Sequence, residues 1–78
     1  MESVQQEIAE WMYRKVEYAG ILRQEEVLEH ILISYGESFI YVNENGNRSI
    51  DKEVKKRFKK LHKGRVAWDR DGFFWAWT

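Results

Sequence analysis

Between Asp51 and Arg65 the chain reads DKEVKKRFKKLHKGR, in which eight of fifteen residues are Lys or Arg. The chemistry open to such a run is electrostatic: ammonium and guanidinium groups hold phosphates and carboxylates, and on a nucleic acid they displace condensed counterions. At about 100° per residue, Val54, Phe58 and Leu61 mark the core side of a helix. Lys52, Lys56, Lys59, Lys60 and Lys63 point the other way, with Lys55 and Arg57 on the flanks. The i,i+4 pairs Lys52–Lys56, Lys55–Lys59, Lys56–Lys60 and Lys59–Lys63 are like-charged, which costs the helix about 1–2 kcal/mol in all at low salt. An outward helix face normally mixes signs. Two readings follow. One is a phosphate-contacting helix with those five lysines as the contact set and Arg57 and Arg65 as helpers. The other is a solvated lysine face, offset by acids elsewhere in the molecule.

Other chemistry is poorly represented. His30 and His62 lie on different predicted helices without a carboxylate motif beside them, and both read as surface or boundary residues. None of the serines sits in a nucleophile elbow, and no Gly-rich phosphate loop occurs. In NENGN, placing Gly46 at the sixth position of a calcium loop puts Tyr41 and Lys52 where carboxylates are required, so the segment reads as a tight turn. The sequence therefore predicts a non-enzyme without a cofactor or metal. Four tryptophans could stack on single-stranded bases beside a basic groove; in a chain this short they read more simply as core.

The elements that would position these residues follow from spacing. Ser3 and Gln6 form a capping box, and Val4, Ile8, Trp11, Met12 and Val16 share a face, giving a helix over about 4–18 that ends at Gly20. After the apolar link Gly20-Ile21-Leu22, residues Val27, Leu28, Ile31, Leu32 and Tyr35 give a second helix over about 24–35, stopped by Gly36. Alternation around Phe39–Val42 and the dipeptide Asn45-Gly46 suggest a short strand or hairpin. Asp51 is the N-cap of the basic helix, about 52–63. RVAWDRDGFFWAWT then reads as a hairpin turning on Asp71-Gly72, with Val66 facing Trp77, Trp68 facing Trp75 and Arg70 facing Phe73. Phe74 falls on the opposite side, and with the free edge of the last strand it offers a place for self-association or a partner, with Arg70 at the turn as a second partner-binding candidate.

The 78 residues predict a single domain, 1–78, of the α+β class: three helices followed by a C-terminal β-hairpin. No cysteine is present, the N-terminus lacks the basic and apolar runs of a signal peptide, and no stretch is long enough to span a bilayer, so a cytoplasmic protein away from membranes is expected. Net charge is zero, yet residues 1–41 carry eight acids and three bases while residues 42–78 carry five acids and ten bases.

The order of three helices and a terminal ribbon resembles the winged-helix class of helix-turn-helix domains. That resemblance implies a basic third helix acting as the recognition helix, with Arg65 to Trp77 as the wing. The phrases GESFIYVNENGN, VKKRFKKL and VAWDRDGFFWAW also look like those of a family of short, uncharacterised bacterial proteins. Two features set the chain apart from a simple helix-turn-helix: Gly36 to Ile50 separate the second and third helices, and the wing tip Asp69-Arg70-Asp71 has two acids to one base. The expected function is a small accessory or regulatory module that binds DNA or RNA through phosphates. The alternative is a protein-interaction module, monomeric or weakly homodimeric, that meets an acidic protein surface or uses Phe74 and the aromatic hairpin.

Overall fold

The computed structural model describes residues 3–78; Met1 and Glu2, which the sequence reading included in the domain, lie outside them. Helix α1 (Val4–Ala19) begins at Ser3, whose Oγ accepts the Gln6 N–H at 3.1 Å, and ends at Gly20 with φ 80°. Only half of the capping box forms. The Gln6 side chain does not reach back to Ser3; its Nε2 donates to Glu10 and its Oε1 accepts from Arg57. Ile8, Ala9, Met12 and Val16 form the buried stripe.

Ile21 and Leu22, read from sequence as part of the link Gly20-Ile21-Leu22, belong with Arg23 to strand β1 (Ile21–Arg23). Helix α2 (Gln24–Tyr35) follows without a break. Arg23 supplies no side-chain cap, and the first free N–H of α2, on Gln24, donates instead to the Phe73 carbonyl at 2.9 Å. A 3-10 turn (Glu37–Phe39) leads into the antiparallel pair β2 (Ile40–Val42) and β3 (Arg48–Ile50), in register Ile40–Ile50, Tyr41–Ser49 and Val42–Arg48. The hairpin suggested by the alternation is therefore present. Its turn carries one positive φ, at Gly46, rather than two. Asn43 Oδ1 accepts the N–H groups of Asn45 and Asn47, which closes the loop on itself.

Helix α3 (Lys52–His62) starts at Asp51, whose Oδ2 accepts the Glu53 N–H, and ends at Lys63 in the left-handed conformation. Strands β4 (Val66–Asp69) and β5 (Phe74–Trp77) pair with Val66 opposite Trp77 and Trp68 opposite Trp75, as the spacing predicts. Arg70 and Phe73 are not a strand pair. They belong to the turn, which spans Arg70 to Phe73 and has its positive φ at Phe73, not at Asp71 or Gly72. Gly72 is required for a different reason: a Cβ there would collide with the Phe74 ring.

The terminal hairpin is not a free ribbon. β1 pairs with β5 through Leu22–Trp75, so the sheet order is β1-β5-β4 and the last strand is its centre. The free edge expected on β5 is thus occupied on both sides. A two-stranded ribbon is marginal in water, and a third strand removes that weakness. Among the described residues the architecture is α+β, with three helices, a three-stranded and a two-stranded antiparallel sheet.

Buried side chains from α1, β1, α2, β3, α3, β4 and β5 gather in one cluster. It is mostly aliphatic, and the expectation that the four tryptophans form the core holds for Trp75, in part for Trp11 and Trp77, which pack against the cluster, and not for Trp68. Only Phe58 and Trp75 among the twelve aromatics are buried, Trp11 and Trp77 are half-buried, and Trp68 is 40% exposed. The reason lies in the sheet. Leu22, Trp75 and Trp68 lie side by side across β1, β5 and β4, and burial falls from 1% to 8% to 40% exposure as the row leaves the helices for the edge strand.

Candidate nucleic-acid interface

The basic face of α3 forms because its opposite face is fixed. Val54, Phe58 and His62 are buried, Leu61 is half-buried, and α1 packs against this helix. That rotation leaves Lys52, Lys56, Lys59, Lys60 and Lys63 exposed, as the helical wheel requires. Among the described residues the single salt bridge is Arg57 Nε to Glu53 Oε2, at 2.8 Å, so no lysine of the face is ion-paired. Lys59 and Lys60 fall in the last turn, where cations offset the negative end of the helix dipole.

The two flanks of the helix differ. Arg57, expected as a helper in phosphate contact, is held on the α1 side: besides Glu53, its Nη1 donates to Gln6 Oε1 at 3.1 Å. Arg65 has an exposed side chain beyond the helix end, and its carbonyl is fixed by the Thr78 N–H and hydroxyl. On the other flank, Lys55 Nζ donates to Ser49 Oγ at 2.9 Å, and Lys52 and Lys55 both sit about 6 Å from the Tyr41 ring centroid. The hairpin between α2 and α3 thus collects two of the cations on its own aromatic ring.

His62 departs from the surface position expected of it. It is 8% exposed, its ring packs edge-on against Phe58, and its Nδ1 accepts the Gly64 N–H at 3.1 Å. Burial, assisted by the Lys59 charge, lowers its pKa, and the Nδ1 acceptor role requires the neutral ring. His30 is stacked flat on Trp11 with ring centroids 3.8 Å apart; burial and then Lys15 lower its pKa as well. Among the described residues there is no group of three side chains able to hold a metal ion, and no helix is long and apolar enough to cross a membrane.

The Lys55 flank opens into a groove of about 740 Å³ between α3, the tip of the β2–β3 hairpin and the β4–β5 hairpin. Ser49, Phe58, His62, Val66 and Trp75 are its buried members, and Lys55, Lys59 and Arg70 are its cations. Sequence reading placed Lys59 in the contact set and Arg70 beside the aromatic hairpin, but gave no sign that they share a cleft with Trp68. The signal available was weak: the alternation of Trp68 with Val66 shows which face of the strand it occupies, not that the strand is an edge.

Phe74, the other expected partner residue, is half-buried with its ring over Gly72. It is not a free aromatic next to an open strand edge.

A profile for a family of unknown function matches residues 4–77, which is nearly the whole chain and includes every element described above. The chain belongs to that family, DUF6953. No curated protein and no solved structure matches this DUF6953 chain. The match spans α3, the intervening hairpin and the three-stranded sheet of this chain together.

Proposed function

We propose that this chain is a small non-enzymatic module of the winged-helix kind that binds nucleic acid through phosphates, in an accessory or regulatory role. The contact set is Lys52, Lys56, Lys59, Lys60 and Lys63 on α3, with Arg65 beyond the helix end. The observation that carries the reading is that all five lysines are exposed on a helix whose only salt bridge, among the described residues, lies on another flank. A face with several like charges and no internal counterion costs helix stability by itself, and phosphate neutralises it. In this reading α3 is the recognition helix and the β4–β5 hairpin the wing. Lysine is a point charge on a flexible stem and reads base edges poorly, so binding is expected to be strong in salt dependence and weak in sequence preference.

The alternative reading, a protein-interaction module, lacks the open β5 edge on which part of it rested. It keeps the charge asymmetry, through which an acidic protein surface would bind the same lysines.

The test is anisotropy of a labelled generic duplex against salt concentration. Log affinity should fall steeply with log salt, and Lys56→Glu with Lys60→Glu should reduce the slope by about two units while leaving the circular dichroism unchanged. Absence of binding to both the duplex and a generic single strand at about 50 mM salt removes the nucleic-acid reading.

A further inference from the structure

The cationic groove beside α3 differs in kind from the lysine face. Its rim is aromatic: Trp68 is 40% exposed and Phe73 49% exposed, their ring centroids are 6.3 Å apart, and Trp68 rests on Trp75 at 4.5 Å. From Trp75 the ring contacts continue inward to Phe58 at 5.7 Å, so the exposed rings stand on a buried, fixed base. Phe73 holds φ 54°, a conformation that a bulky side chain rarely adopts, although Gly72 stands one position earlier and could take it without strain. Such strain persists where the surroundings over-determine it. Here the Phe73 carbonyl is tied to Gln24 N–H, and the consequence is an aromatic ring displayed on the groove rim.

Charge selects the ligand's sign. Lys55, Lys59 and Arg70 line the groove, and no Asp or Glu does. The facing wall is the loop carrying Asn43, Asn45 and Asn47, whose amides offer both donors and acceptors. The volume lies within the roughly 300–1,000 Å³ of ordinary small-ligand sites. A second depression of about 450 Å³ adjoins it, shares Gln24, Asn47 and Phe73 with it, and brings two cations, Arg23 and Arg48, against one acid, Glu25. The groove therefore continues past the Phe73 ring between the two hairpin tips.

We infer that this groove takes an unpaired stretch of nucleic acid. Its bases stack on Trp68 and Phe73, and its phosphates lie on Lys55, Lys59 and Arg70. A duplex presents base edges and keeps its base faces stacked on one another, whereas exposed protein rings need free faces that unpaired bases alone supply. An acidic peptide would satisfy the cations and could pair its backbone with the amide wall, but its carboxylate side chains offer no flat face to the two rings. This inference rests on the nucleic-acid reading above and narrows it to a strand class and a second contact surface.

The experiment compares a labelled eight-nucleotide oligothymidylate with a labelled duplex of equal phosphate number at one low salt concentration, using the intact chain and its variants. Trp68→Ala should weaken oligothymidylate binding about 10- to 100-fold, with duplex binding changed less than about twofold. Trp68→Phe, which keeps a stacking face, should retain most of the affinity. Phe73→Asn, at an exposed position whose backbone conformation Asn tolerates, serves as a second probe should Trp68→Ala fail to fold, and should also weaken oligothymidylate selectively. Three results overturn the inference while the α3 reading stands: oligothymidylate affinity unchanged by both groove variants, equal losses for duplex and single strand, or poly-glutamate competing as well as oligothymidylate. Wild-type protein that binds neither nucleic acid overturns both.

Discussion

Two hairpins wall the groove, and they solve the same local problem with different resources. In the β2–β3 hairpin, Asn43 Oδ1 accepts two loop N–H groups, at 3.0 and 3.1 Å; in the β4–β5 hairpin, Asp69 Oδ1 does the same for Asp71 and Gly72, at 3.0 and 3.2 Å. Each tip is thus closed by a short side chain at its first position, a mechanism that Asn and Asp share. Beyond the tips they diverge. The first hairpin places its left-handed residue at Gly46 and pairs with no further strand, while the second places it at Phe73 and is joined to β1 and to the start of α2. The first hairpin is therefore shaped by local chemistry and the second by its neighbours. The positive φ at Phe73 accompanies a carbonyl held by the Gln24 N–H at the start of α2.

This contrast is open to direct attack. The largest effect is expected from Trp75→Ala, at the centre of the three-stranded sheet and 8% exposed. It should cost about 3–5 kcal/mol in urea unfolding. Tyr41→Ala, half-buried on the two-stranded pair, should cost about 1 kcal/mol. Equal losses would show that the two hairpins contribute alike and break the comparison.

Next come the left-handed positions. Gly46→Ala should destabilise by about 1 kcal/mol, because φ 78° is unfavourable for any Cβ. Phe73→Gly should instead hold or raise the melting temperature, since glycine relieves the backbone and the exposed ring contributes little burial. A melting temperature lowered as far as by Gly46→Ala would mean that Phe73 is packed rather than displayed.

Asn43→Ala and Asp69→Ala should each cost about 1 kcal/mol through loss of the loop-closing acceptor. Asp69→Asn, which keeps an acceptor, should be nearly neutral. Amide hydrogen exchange at Asn45, Asn47, Asp71 and Gly72 reads this loop by loop, and unchanged protection in either alanine variant would remove the shared-tip mechanism.

The smallest effect is a pH dependence beneath the groove floor. His62 and His30 have pKa values below the ordinary 6.5, so the unfolded chain takes up protons first as pH falls. Stability is at its full value above about pH 6.5 and declines as pH drops through that value toward the lower folded pKa values. His62→Gln should make unfolding midpoints between about pH 7 and 5 less pH-dependent than wild type. An identical slope in the variant would show that His62 is not the titrating group.

Much of the local structure was legible because it is enforced locally. Ser3, Gly20, Gly36 and Asp51 mark helix ends through their own side chain or lack of one, and the start of α2 follows from periodicity alone. The strand register Val66–Trp77 and Trp68–Trp75 follows from alternation about the turn. β1 was not legible: Ile21-Leu22-Arg23 is too short for periodicity to distinguish a strand from a link, and only its partner β5 makes it one. The same limit hid the partners of Gln6 and Arg57, which are 51 positions apart in sequence.

The sequence by itself determined that α3 carries a one-signed outer face, because hydrophobic spacing fixes which residues turn inward and leaves the lysines no other place. Tertiary structure decided what lies beside that face. The position of β4 at the sheet edge, the insertion of the β2–β3 hairpin alongside α3 and the capture of the Phe73 carbonyl by α2 are long-range pairings, and no local pattern encodes which strand will meet which. A basic helix could be read from fifteen residues; the aromatic groove on its flank exists only once the chain has closed on itself.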